Sequence, residues 1–326
     1  MARYVLIKIA RLVSLLFVVS LLTFLLVSFS PIDPVRAYIG ADMLLISPEQ
    51  RAAIEAYWGL DQSLVTQYTK WLGSILSGDF GTSLIYRIPV AEVIADRFFS
   101  SILLMTMAWI CSGVIGLILG SLAAMKKGTW IDRLIRGYCS VLLSTPGFWL
   151  GLLLLLTFSV WLGIFPTGLS APIGVTSDEI TFADRIYHAI LPAITLSIIG
   201  IANVCLHTRE KLVEVLMTPY IAQARANGYD GFTLLKRHGI RNMLLPAVSV
   251  QFASFGELFG GAILAEQIFS YPGLGQAVVD AGLEGDVPLF LAIVLISTCF
   301  VFVGNWIADL LYVLLDPRMR KGRNMS

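Results

Sequence analysis

The chain has 326 residues, 57% hydrophobic and 14% charged, with a mean hydropathy of +0.80 and a formal net charge of +1. A soluble globular domain carries roughly 25% charged residues, so the composition excludes that class and marks an integral membrane protein. The near-zero balance offers no basic footprint for nucleic acid. The four cysteines, Cys111, Cys139, Cys205 and Cys299, lie far apart inside apolar runs. They read as small buried hydrophobes, without the paired spacing of a metal site.

In chain order, six apolar runs are long enough for a hydrocarbon core ~30 Å thick: Ile9–Phe29, Ser101–Ala124, Val141–Ile164, Ala189–Leu206, Ala247–Phe269 and Leu289–Leu315. The first is expected to remain as a span, because it is longer than a signal h-region and no small-residue cleavage site follows. After it, "SPEQRAAIEAYWGL" opens with Ser47 as a helix cap, Pro48 at the first helical position and Gln50 three residues on, a capping-box pattern. "GDFGTS" (78–83) reads as a turn. In the second run "GVIGLILG", with Gly113, Gly116 and Gly120, lets another helix approach closely. Pro146-Gly147 is expected to kink the third. The fourth is the shortest and is expected to start near Pro192.

Lys and Arg set the orientation. All but six of the 23 basic residues fall in the N-terminal segment, the second and fourth loops and the C-terminal tail; the six are Arg36, Arg51, Lys70, Arg87, Arg97 and Arg185. Both termini are therefore expected in the cytoplasm. The chain reads as an all-α membrane protein of one domain over 1–326, with a structured extracytoplasmic loop at 30–100 and a cytoplasmic loop at 207–246.

That cytoplasmic loop contains "YIAQARANGYDGFTLLKRHGIRNMLLP", Tyr220 to Pro246. Its first part is rich in the helix formers Ala, Gln and Arg. Gly228 supplies the left-handed residue that ends such a helix, and Gly231 loosens the turn. Phe232 to Arg237 restarts a helix with Phe232, Leu234 and Leu235 apolar and Lys236 and Arg237 charged. From the residues alone, a docking plug and an amphipathic loop resting on anionic lipid fit equally.

The same residues resemble the coupling (EAA) loop of ATP-binding-cassette importer permeases, in the version of the peptide/nickel family. Ala224, Ala226 and Gly228 match its small–x–small–x–Gly core. Arg237-His238, Arg241-Asn242 and Leu244-Leu245-Pro246 match its tail. "GLDQSLVTQYTKWL", "GDFGTSL", "STPGFWLG", "EQIFSYPGLG" and "LLDPRMRKG" extend the resemblance over nearly the whole chain. Ala222 or Gln223 stands where the loop's name-giving Glu would be. The resemblance implies six transmembrane helices in a bacterial inner membrane, a second homologous permease subunit, two cytoplasmic ATPases and an extracytoplasmic binding protein. It also implies that Ala224, Arg225, Ala226, Gly228, Phe232, Leu235, Arg237 and His238 receive the ATPase. No Walker-type GK[ST] is present, so no catalytic residue and no cofactor is assigned to this chain; ATP and Mg belong to the partner ATPases.

Three acids lie inside apolar runs: Glu257, Glu266 and Asp309. Carboxylates at such depth are costly and face a cavity or a partner, so these are the candidate pathway residues, Glu266 being expected near the outer mouth. A packing role for Glu257 and Asp309 fits as well. His188, His207 and His238 are too scattered for a metal site. A non-transporting membrane scaffold would need neither these acids nor a coupling loop, and a membrane-embedded enzyme would need clustered catalytic groups. The segment "GELFGG" (256–261) resembles the nickel and metal-chelate branch, so the cargo is expected to be a peptide or a chelated metal. Two symmetric copies would double Glu257 and Asp309 with no intramembrane cation to offset them, which favours a heterodimer of permeases.

Overall fold

The computed structural model describes residues 2–30, 35, 47–59, 61–172, 174–175, 179–239, 247–248 and 250–315. Among them every regular element is helical, apart from one isolated bridge between Thr82 and Pro89. This follows from the composition, because a helix satisfies its own N–H and C=O groups where no water is available. Four helices are long and apolar enough to cross a membrane: Arg3–Ser28, Val90–Met125, Phe182–Leu216 and Val287–Leu310. The pair Trp130–Ser144 and Gly147–Trp161, bent by 104°, makes five if it is one span, counted among the described residues. Of the expected Ala247–Phe269 span, Phe255–Ile268 is a continuous helix, and the described residues 247, 248 and 250–253 before it are also helical.

The elements are α1 (Ala2–Ser28), α2 (Pro48–Trp58), α3 (Leu64–Leu76), α4 (Val90–Met125), α5 (Trp130–Ser144), α6 (Gly147–Leu154, continued by a π-helical turn, Leu155–Trp161) and α7 (Phe182–Leu216). There follow α8 (Pro219–Ala226), α9 (Gly231–Leu234, continued by a π-helical turn, Leu235–Gly239), α10 (Phe255–Ile268), α11 (Leu274–Glu284) and α12 (Val287–Leu315). Two local expectations are met directly. Ser47 caps α2 in a full capping box, with Gln50 N–H on Ser47 Oγ at 3.2 Å and Ser47 N–H on Gln50 Oε1 at 2.9 Å. Pro146 breaks α5 from α6, with Thr145 before it extended, as a residue preceding proline prefers.

The fourth run departs from expectation. Its helix starts at Phe182, ten residues before Pro192, because Thr181 and Asp184 form a second capping box. Pro192 then lies inside α7. Proline forfeits one backbone hydrogen bond there, a loss that membrane helices tolerate when neighbours re-satisfy the freed groups.

The chain divides into two compact units. The first comprises Met1–Ser101 and Pro272–Phe302. Within it α1 meets α3 through Ser20 Oγ and Tyr68 OH at 2.8 Å, beside the packed rings of Phe24, Tyr68 and Trp71. Its core joins Val90, Val93 and Ile94 of α4 to Leu274, Ala277 and Ala281 of α11 and Leu289 and Ile293 of α12. Asp286, fully buried, precedes α12 and caps it by accepting the Leu289 N–H at 3.1 Å. Its other carboxylate oxygen accepts the Ser83 hydroxyl and the N–H groups of Leu84 and Ile85. One carboxylate thus fixes the "GDFGTSL" loop to the start of the last helix.

The second unit comprises Ile102–Tyr271 and Val303–Ser326. Here α7 is the central bar. The α5 face Ile135, Cys139 and Leu142 packs with Ala123 of α4 and Ala202 and Cys205 of α7. The glycine stripe of α4 permits close approach: a Cβ on Gly116 would lie 2.7 Å from Val204 Cβ, and one on Gly120 would lie 2.5 Å from the Cys205 carbonyl oxygen. Gln251 ties its segment to α4, donating from Nε2 to the Trp109 carbonyl at 2.7 Å and to Ser112 Oγ at 2.9 Å.

Two substitutions separate close packing from helix propensity. Gly120→Ala drives a methyl group into backbone, which cannot step aside, and is expected to lose about 1–3 kcal/mol. On the exposed side of α5 a Cβ at Gly137 meets nothing within 4 Å, so Gly137→Ala should be neutral or stabilising by up to about 1 kcal/mol. Thermal midpoints of the detergent-purified complex compare them. A Gly120→Ala protein as stable as wild type would refute the close α4–α7 packing.

Candidate functional site

The helix–glycine–helix segment is a compact block on the C-terminal end of α7. Pro219 occupies the first position of α8 after Thr218, where its missing N–H costs nothing. The helix ends in a Schellman motif: Gly228 N–H bonds to Arg225 O at 2.9 Å and Tyr229 N–H to Ala224 O at 3.1 Å. Gly228 has φ +87° and Gly231 φ +53°, and Asp230 Oδ1 accepts the Gly231 N–H at 2.7 Å.

The block has a packed side and an open side. Ile221, Ala224 and Leu234 are buried against Val215, Leu216 and Tyr229. Leu235 is buried with Leu212 of α7 and Ala124 of α4. The exposed face consists of Ala222, Gln223, Arg225 and Ala226, with Asn227 and Gly228 at its end. Arg237 is exposed, donates to Tyr229 OH at 2.7 Å and stacks its guanidinium 5.0 Å from that ring's centre. Among the expected ATPase-receiving residues, Arg225, Ala226, Gly228 and Arg237 therefore reach the surface. Ala224 and Leu235 do not: they face the chain's own core, and their contribution is to mount the block. The side chains of Phe232 and His238, and all of Arg241, Asn242 and Leu244 to Pro246, lie outside the described residues.

The three acids divide as well. Glu257 is exposed on α10, in register with Ala253, Gly260 and Leu264, a spacing that lines one side of a helix. A Cβ on Gly260 would meet nothing within 4 Å. The opposite stripe of α10, Ala262, Ala265 and Glu266, is buried, and Phe269 follows in the same register. Glu266, at 1% exposure, belongs to the interior of the second unit, on the side of α10 away from Glu257. Nearby, burial pushes the Tyr271 phenol up to about 12, assisted by the Glu266 charge and opposed by Arg185. Asp309 is exposed on α12, and Gly304 one turn earlier receives the Phe255 ring. Among the described residues no three His, Cys, Asp or Glu side chains are grouped to hold a metal ion.

Two buried acids carry geometry that the sequence reading passed over. One is Asp286. The other is Asp132, whose carboxylate receives Arg209 Nε at 2.6 Å and Nη2 at 2.8 Å, 77 residues away. A signal existed for each: Asp286 precedes Val-Pro at a helix start, and Asp132 falls in register with Ile135, Cys139 and Leu142 on the buried face of α5.

Residues 116–321 match the family described as binding-protein-dependent transport system inner membrane component, and residues 1–105 match its N-terminal companion. The chain belongs to this family. It is 36% identical over 320 residues to the oligopeptide transport system permease protein AppB of Bacillus subtilis (strain 168), covering 98% of this chain and 99% of that one. It is 35% identical over 322 residues, with the same coverage, to the glutathione transport system permease protein GsiC of Escherichia coli (strain K12). Among solved structures, the MetNI methionine ABC transporter in inward-facing conformations shares the fold, with TM-score 0.56 and 14% identity over 69% of this chain and 97% of that one. As a member of the family, the chain is a multi-pass membrane permease subunit of an ATP-binding-cassette importer.

Gly228 offers a direct test of the block in this permease. A Cβ there would meet nothing within 4 Å, so only the left-handed backbone resists substitution. Asparagine tolerates that conformation and valine does not. Gly228→Val, at a cost of about 1–2 kcal/mol, should raise tryptic cleavage after Arg225 roughly tenfold, and Gly228→Asn should stay near wild type. Equal protection of both variants would refute the cap geometry.

Proposed function

We propose that this permease forms half of a translocation pathway for short peptides, and that the outer face of α8 docks on a partner ATPase. The observation that carries the reading is the two-sided block itself. Ile221, Ala224, Leu234 and Leu235 anchor it to α7 and α4, while Ala222, Gln223, Arg225 and Ala226 stand exposed without obvious need. A loop merely resting on lipid would present its apolar residues outward; here they point into the protein. In the same reading both termini are cytoplasmic, six helices span the inner membrane, residues 30–100 lie outside, and a second, non-identical permease completes the wall. An extracytoplasmic binding protein delivers cargo, and two partner ATPases bind ATP and Mg.

The two relatives named above are permeases for an oligopeptide and for glutathione. Both cargoes are peptides with an amino-terminal ammonium. The exposed acid on the small-residue side of α10, Glu257, suits that group, whereas a chelated metal finds no support in those names. Asp309 is a second candidate on the pathway, and Glu266 is set aside because it is buried.

Reconstituted with its partners, the complex should hydrolyse ATP faster when peptide-loaded binding protein is added. Glu257→Gln keeps the shape of the side chain and removes its charge. It is expected to raise the half-saturating concentration for a free-amino-terminus peptide roughly tenfold, while uptake of the N-acetylated peptide stays unchanged. Equal effects on the two peptides, or none on either, would reject Glu257 as the ammonium contact.

A further inference from the structure

Asp132 is out of place by the ordinary rules of packing. It is 1% exposed on a face of α5 otherwise lined by Ile135, Cys139 and Leu142. Leucine there would hold α5 to α7 at least as well, since replacing a buried ion pair by matched hydrophobes is often neutral or stabilising. What an aspartate–arginine pair adds is fixed geometry. Arg209 meets the carboxylate through two parallel N–H bonds, a fork that tolerates little rotation.

Three parts of the chain converge on this one carboxylate. The Gly128 N–H, in the turn that follows α4, donates to Oδ2 at 3.0 Å. Asp132 itself stands in the first turn of α5, with Arg136 Nε at 3.4 Å from Oδ1. Arg209 arrives from α7. Immediately beyond Arg209, the last two turns of α7 carry the whole mounting of the exposed block. Leu212 is buried against Leu235 and Ala124, and Val215 and Leu216 pack against Ile221 and Leu234. A push on the open face of α8 therefore arrives at the end of α7 one to two turns past the fork.

We propose that the Asp132–Arg209 fork is a latch that makes the end of α7, its mounted block and the α4–α5 corner move as one rigid body, so that displacement of α8 is delivered to the helices rather than lost in bending of α7. The inference rests on the proposed docking of α8. Both residues are positioning residues: they touch neither cargo nor nucleotide.

The test uses the assembled transporter carrying Arg209→Lys, Asp132→Asn, or the apolar pair Asp132→Leu with Arg209→Leu. Arg209→Lys keeps the charge and loses the fork; the apolar pair keeps the packing and loses both. Assembly and thermal midpoint should stay near wild type in the apolar pair, basal ATP turnover should persist, and peptide imported per ATP should fall at least about fivefold in all three. Spin labels at Thr233, on the block but off its docking face, and Ser140, both exposed, read the same body without any cargo. Their distance distribution should be narrow and unchanged by ATP in the parent and broadened in the variants. A ratio of import to hydrolysis and a distribution that match wild type overturn the latch. So does a loss of stability that tracks every loss of import, since that is a packing role alone. A wild-type complex that hydrolyses ATP yet imports no peptide argues against the cargo reading, and the spin-label distances still decide the latch.

Discussion

Taking a carboxylate out of water costs several kcal/mol unless N–H, O–H or guanidinium donors replace its hydration. In a chain that is mostly apolar, that requirement selects where acids can be buried, and each burial fixes elements that are distant in sequence. Asp286 gathers three backbone N–H groups and the Ser83 hydroxyl, joining residues about 200 positions apart. Asp132 gathers Gly128, Arg136 and the Arg209 fork. Apolar contact alone would allow the helices to slide and rotate, because hydrophobic attraction has no direction. Asp286 supplies direction in the first compact unit and Asp132 in the second.

The second unit then has a mechanical logic centred on α7. This helix is 35 residues long, and its C-terminal turns serve as the seat for the helix–glycine–helix block. Just before that seat, close α4 packing at Gly116 and Gly120 braces α7 around Val204 and Cys205 from one side, and the α5 face braces Ala202 and Cys205 from the other. A permease that takes its energy from a partner needs a surface to be pushed and a body stiff enough to carry the push. In the proposed reading the exposed side of α8 and the braced end of α7 meet those two needs, and α10 of the same unit carries Glu257 on its exposed side.

Local features were legible because their causes are local. The Ser47 box depends on residues three apart, and the Gly228 cap on a backbone conformation that glycine adopts without a steric penalty. The fourth helix was placed too late because Pro192 was read as a start; the true signal, Thr181 with Asp184, stood eleven and eight residues upstream in a polar stretch. Sequence gives depth but not azimuth: Glu257 and Glu266 share one helix and face opposite ways. The Asp132–Arg209 pair was invisible for a different reason. Its partners are 77 residues apart, and no local pattern says which cation an aspartate on an apolar helix face will meet. The all-helical, membrane-spanning character was legible from composition, whereas the number of spans depends on breaks such as Pro146, where one apolar run becomes two helices at 104°.

The claim that α8 presents one face to an ATPase and keeps the other for the permease is open to a direct measurement. Single cysteines at positions 221 to 226, in a chain whose four native cysteines are replaced, can be crosslinked to the ATPase in the assembled complex. Positions 222, 223, 225 and 226 should crosslink in proportion to their exposure, and positions 221 and 224 should stay unreacted. Crosslinking through 221 and 224, or none at any position in a complex that hydrolyses ATP, would contradict it.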